Sequence, residues 1–90
     1  MKSVRAVISG RVQGVWYRAW TEKEATERGL SGWVRNCSDG TVEAVFSGTE
    51  ADVDAMLVAC RTGPRLARVE GVVAEACDAP EQRFSKRATA

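Results

Sequence analysis

Histidine is absent from all 90 residues, so the commonest metal ligand and the commonest general base at neutral pH are both missing. Any chemistry must run on other groups. Cysteine is scarce and odd in number: Cys37, Cys60 and Cys77 lie far apart, which excludes a disulfide framework and any C-x-x-C zinc or redox motif. Reduced thiols are expected. Charge of one sign is also lacking, since 13 basic against 12 acidic residues leave a net charge of +1. No global field exists to collect nucleic acid or an acidic membrane surface, and an anion must be captured locally. Long apolar runs are missing too. The strand-like stretch after Met1-Lys2-Ser3 is broken by Arg5 and Gly10, which makes neither a signal-peptide core nor a membrane span. A cytoplasmic location is expected. No Ser/Gly/Pro-rich stretch divides the chain, and its length suits one small core, so residues 1–90 are expected to form a single domain.

What is present is concentrated in Gly10-Arg11-Val12-Gln13-Gly14-Val15-Trp16-Tyr17-Arg18. Two glycines four apart let the backbone turn tightly and approach a ligand. A helix beginning near Arg18 aims unpaired N–H groups and a positive dipole end at the same place. Arg18 adds a planar, permanently charged fork suited to phosphate or carboxylate. The segment reads as an anion cradle. Taken alone, a glycine pair of this kind is as often a tight turn.

Around the cradle the elements alternate. Val4 to Ser9 has Val4, Ala6 and Ile8 on one face by period two, with Gly10 ending a first strand. Arg18 to Arg28 reads as a helix with Gly29 as its C-terminal cap and a thin apolar row of Tyr17, Thr21 and Ala25 beside Trp20. Leu30 to Cys37 and Thr41 to Ser47 flank a hairpin signal at Asp39-Gly40, and Val42, Ala44 and Phe46 share one face. Thr49 is placed to cap a second helix carrying Val53, Met56, Leu57 and Cys60 at helical spacing, which Gly63-Pro64 stops. Ala67 to Cys77 is a valine-rich fourth strand in which Gly71 marks a bulge or bend, and a short fifth strand is expected around Phe84.

The order β-α-β-β-α-β predicts an α+β fold, the ferredoxin-like split βαβ sandwich: an antiparallel sheet with two helices on one face. In its usual strand order, 4-1-3-2, the ends of the first and second strands share one edge. The cradle and the polar Asn36 then emerge together, two inter-strand spacings of roughly 5 Å each apart.

A second block, Gly32-Trp33-Val34-Arg35-Asn36-Cys37-Ser38-Asp39-Gly40-Thr41-Val42-Glu43, combines with the cradle into a pattern that resembles the acylphosphatase family, small enzymes that hydrolyse carboxylic-phosphoric mixed anhydrides. The resemblance extends to Gly29-Leu30, Gly63-Pro64, Ala67 and Val69 and so covers most of the chain. It implies that Arg18 binds the phosphate, that the backbone of Gln13, Gly14, Val15, Trp16, Tyr17 and Arg18 is the phosphate loop, and that Asn36 orients the attacking water. No metal or cofactor is expected. The implied partners are a small-molecule acyl phosphate and inorganic phosphate as product, with no nucleic acid or membrane partner, for a chain expected to be monomeric. A non-catalytic or accessory phosphate-ligand domain of the same fold is the alternative. RNA binding on the open sheet face is disfavoured because strands one and three offer only Phe46, which alternation assigns to the core.

Other residues receive plainer readings. Arg11 and Arg35 are expected to be solvated, Trp16 and Tyr17 to pack the loop, Trp33 to pack on the sheet, and Cys37 to be inert for lack of a base. The tail from Phe84 to Ala90 lacks the longer apolar finish expected of a last strand in this family, which predicts a weak edge.

Overall fold

A computed structural model describes residues 1–80 and 83–90. The elements are β1 (Lys2–Arg11), α1 (Tyr17–Glu27), β2 (Ser31–Asn36), β3 (Val42–Gly48), α2 (Glu50–Cys60), β4 (Arg68–Ala76) and β5 (Ser85–Lys86). They build a sheet of order β4-β1-β3-β2-β5. The first four strands pair antiparallel, as the expected order requires, whereas β5 runs parallel to β2 and makes the sheet mixed.

Period two in the strands and helical spacing in the helices converge on one core. Val4, Ala6 and Ile8 of β1, Val34 of β2, and Val42, Ala44 and Phe46 of β3 meet Tyr17 and Ala25 of α1 and Val53, Met56 and Cys60 of α2. Both helices therefore cover the same face. The thin row expected of α1 is what it buries: Tyr17, Thr21 and Ala25. Thr21 satisfies its hydroxyl by donating to the Tyr17 carbonyl (2.8 Å), which lets a polar residue sit in the core. Thr49 caps α2, its hydroxyl oxygen accepting from the Asp52 N–H at 3.2 Å.

Two expectations need correction at the edge where the site forms. Gly10 does not end β1; it pairs with Val69, and the strand continues to Arg11. Its φ of +114° and a backbone approach that would bring a Cβ within 2.2 Å of the Arg68 carbonyl oxygen explain the glycine instead. The irregularity expected at Gly71 sits one residue earlier, because Ser9 pairs with Gly71 and Gly10 with Val69, leaving Glu70 as the extra residue. The extra residue lies in β4, opposite the end of β1 from which the loop departs.

The other face of the sheet is also covered at its centre. Glu43 and Val45 of β3 are buried there, and Glu43 accepts hydrogen bonds from Arg5 and from Arg35 (2.7 Å). Arg35 is thus paired, not simply solvated, while Arg11 is exposed as expected.

The tail is better tied than its composition predicts. Phe84 is buried and stacks on Phe46 with centroids 5.6 Å apart. Beyond β5 the backbone keeps pairing with β2: the Arg87 N–H donates to the Val34 carbonyl at 2.8 Å and the Ala90 N–H to the Asn36 carbonyl at 3.0 Å. The Ser38 N–H then donates to the Ala90 carbonyl, also at 3.0 Å. Backbone bonds replace the missing apolar residues. Among the described residues, no helix is long and apolar enough to cross a membrane.

Candidate active site

The loop between β1 and α1 is held by its side chains and open along its backbone. Gln13 spends its side-chain amide on the hairpin, donating to the carbonyls of Cys37 (2.7 Å) and Thr41 (2.8 Å). Val15 plugs into the core, and Tyr17 buries its ring and donates its hydroxyl to the Cys60 carbonyl at the end of α2 (2.7 Å). Burial of that phenol raises its pKa well above the ordinary tyrosine range, so it stays protonated and keeps donating. These three anchors fix both ends and the middle of the loop.

Between the anchors the backbone alternates in hand. Gly14 has φ +73° and Trp16 φ +69°, while Val15 between them does not enter the positive-φ region. Such alternation turns successive N–H groups toward one side and makes an anion-binding concavity. No backbone N–H from Gln13 to Ala19 donates to a protein acceptor among the described residues. Helix α1 begins without a side-chain cap and without an acidic residue in its first turn, whereas α2 has both. The open dipole end faces the same concavity.

The result is a pocket of about 290 Å³ lined by Val12, Gly14, Trp16, Tyr17, Arg18, Ala19, Asn36 and Lys86. No carboxylate is among them. Arg18 stands in the first turn of α1, half-buried, with one of its five N–H groups donating to the Arg87 carbonyl at 3.3 Å. The guanidinium is steered by the tail while most of its donors stay available. Asn36 closes β2, where the bond from the Ala90 N–H to its carbonyl holds its backbone, and it is among the residues that line the pocket.

Of the residues singled out in the sequence, the pocket gathers Gly14, Trp16, Tyr17, Arg18 and Asn36; Gln13 and Val15 are not in its lining and serve as anchors. Trp16 departs from expectation. It is 78% exposed and the sole non-glycine residue with positive φ among those described, so it does not pack the loop; the left-handed backbone swings its indole outward along the pocket. Trp33 lies on the opposite face of the sheet, with the guanidinium carbons of Arg35 and Arg87 at 4.9 and 4.6 Å from its ring. Cys37 is a free, partly buried thiol. Lys86 was missed altogether, because a two-residue strand gives no period to read. No cluster of three or more His, Cys, Asp or Glu side chains that could hold a metal occurs among the described residues.

The acylphosphatase family model matches residues 4–87. An acylphosphatase of Rhodospirillum rubrum is 57% identical over 82 residues, which span 91% of this chain and 90% of that one. Among solved structures, an acylphosphatase from Coxiella burnetii superposes with a TM-score of 0.91 at 33% identity, covering 96% of this chain and 92% of the other. The acylphosphatase of Bacillus subtilis gives the same TM-score, 0.91, at 34% identity over 97% of this chain and 99% of its own. The chain belongs to the acylphosphatase family.

Proposed function

We propose that the pocket hydrolyses acyl phosphates, releasing a carboxylate and inorganic phosphate, which makes the protein a hydrolase acting on an acid anhydride. The observation that carries this reading is the convergence, in one pocket without a carboxylate among its described lining residues, of a loop of unpaired N–H groups, a guanidinium and a side-chain amide. The backbone N–H groups of Gln13 to Arg18 and the Arg18 fork hold the phosphoryl group and stabilise charge as it spreads over the equatorial oxygens. Asn36, on the facing wall, holds a water in line with the bond between phosphorus and the acyl oxygen, so that attack becomes effectively intramolecular.

The chemistry matches what the residues can supply. A carboxylate is a good leaving group and departs without an acid to protonate it. Asparagine has no basic lone pair at neutral pH, so the water's proton passes to a phosphoryl oxygen of the substrate itself. Neither a covalent enzyme intermediate nor a bound metal enters the scheme. We place this activity in a single, monomeric, cytoplasmic domain acting on a small molecule; the shared core of all the long elements and the free thiols of Cys37, Cys60 and Cys77 support that setting.

The test is direct. The purified protein is offered several acyl phosphates while free phosphate and carboxylate are followed together. Stoichiometric release of both, faster than spontaneous hydrolysis, is expected. Binding of phosphate without turnover would favour a phosphate-ligand domain of the same fold.

A further inference from the structure

Lys86 lines the pocket and has no part in the scheme above. Strand register explains how it arrives there. Lys86 pairs with Val34 across the parallel β2–β5 ladder; Val34 is buried on the helix-covered face, and Asn36 follows it by two residues on the same side. The neighbouring Arg87 points the other way, onto Trp33. Period two thus divides the two cations of the tail, sending one to each face of the sheet.

Lys86 is one of several cations without an ionic partner among the described residues, and what sets it apart is that it lines the pocket beside Arg18. Lys2 is paired with Asp54, Arg28 with Glu24, and Arg5 and Arg35 with Glu43. Among the described residues Lys86 makes no ion pair and no side-chain hydrogen bond, and the pocket it shares with Arg18 holds no carboxylate. Two cations bordering one concavity repel each other unless an anion sits between them.

We propose that Lys86 is a second phosphoryl-binding cation, contacting the non-bridging oxygens from the wall that carries Asn36. The placement follows from in-line displacement and rests on the acyl phosphate reading. If Asn36 holds the attacking water, the acyl group must leave from the opposite side of phosphorus, away from Lys86. The ammonium therefore meets phosphoryl charge and not the acyl chain. Arg18 supplies a planar fork and Lys86 a compact point charge, two complementary ways of neutralising a dianion.

The experiment compares wild type with Lys86→Met, which keeps most of the apolar stem, and Lys86→Arg, which keeps the charge. Each is assayed for inhibition by inorganic phosphate and for kcat/KM with acetyl phosphate and with an acyl phosphate bearing a distal carboxylate. In Lys86→Met the phosphate inhibition constant should rise and kcat/KM should fall for both substrates by roughly two- to fivefold, the range for one exposed charge pair. Lys86→Arg should recover most of the loss. The salt dependence of phosphate inhibition should flatten in Lys86→Met. An unchanged inhibition constant, or a loss confined to the carboxylate-bearing substrate, overturns the proposal. Should wild type turn over no acyl phosphate, the enzymatic reading fails by itself. Phosphate binding by titration calorimetry to wild type and Lys86→Met then decides the role of the lysine separately: equal affinities sink it.

Discussion

At the scale of single residues, Arg18 and Asn36 divide binding from chemistry, and substitutions should separate them. A lysine cannot reproduce the fork, so Arg18→Lys should weaken inhibition by phosphate and lower kcat/KM while leaving the melting temperature nearly unchanged. Unfolding of that variant would make the arginine structural. Asn36→Ala should lower kcat by about two orders of magnitude, the effect of losing roughly 3 kcal/mol of positioned polar contact. Phosphate should still bind it. Turnover and phosphate affinity falling together would recast Asn36 as a phosphate ligand. Both residues were legible in the sequence because each sits in a block with its own local logic, a glycine-flanked turn into a helix and a polar residue closing an apolar strand. Lys86 and the outward swing of Trp16 were not. The first depends on a two-residue ladder with β2, and the second on a backbone conformation that tryptophan rarely adopts, so neither leaves a trace in spacing.

At the scale of elements, the start of α1 depends on a glycine far away in sequence. Gly63, just past α2, has φ +68°, and a Cβ there would come within 2.6 Å of the Tyr17 ring. Gly63→Ala should therefore cost about 1 kcal/mol or more of stability, read from urea denaturation. It should also weaken phosphate inhibition, since Tyr17 anchors the loop. A variant that loses stability but keeps full phosphate affinity would show that the loop holds its shape without that anchor. The sequence offered Gly63-Pro64 as a stop for α2 and as part of the family pattern, but not as a support for Tyr17, because a contact between residues 17 and 63 has no local signature. Strand order and the apolar faces of both helices were readable, since they follow from period and connection length. The short fifth strand near Phe84 was readable as well, but its parallel pairing with β2 was not, as backbone bonds and one stacked phenylalanine hold it where an apolar run was expected.

At the scale of the whole molecule, composition and buried charge set the response to conditions. A chain with no histidine, and with no carboxylate among the described residues that line its pocket, should keep full activity after exhaustive chelation. Activity lost in EDTA and restored by a divalent ion would overturn the mechanism. Acid stability turns on Glu43. Burial pushes its carboxyl pKa up, but hydrogen bonds and charge from Arg35 and Arg5 outweigh this and hold it below the ordinary carboxylate value. Asp39 is also lowered, by hydrogen bonds from the Thr41 hydroxyl and N–H. A pKa lower in the folded than in the unfolded state contributes stability that is complete above the unfolded value and lost as pH falls through the folded one. The melting temperature should thus be flat near neutrality and fall below about pH 4, where an unfolded carboxylate begins to take up protons. Glu43→Gln should lower the neutral plateau and flatten the acid limb; an unchanged acid limb would assign it to other carboxylates.

The exposed indole of Trp16 makes the pocket optically addressable. Tryptophan emission follows the polarity and charge around the ring, and this ring borders the proposed phosphate site while Trp20 packs against Tyr17 and Trp33 lies across the sheet. With Trp20 and Trp33 replaced by phenylalanine, the remaining fluorophore would report occupancy of the loop alone. Phosphate affinity, and the arrival and departure of substrate on the millisecond scale, could then be followed by stopped-flow emission without a label or a coupling enzyme.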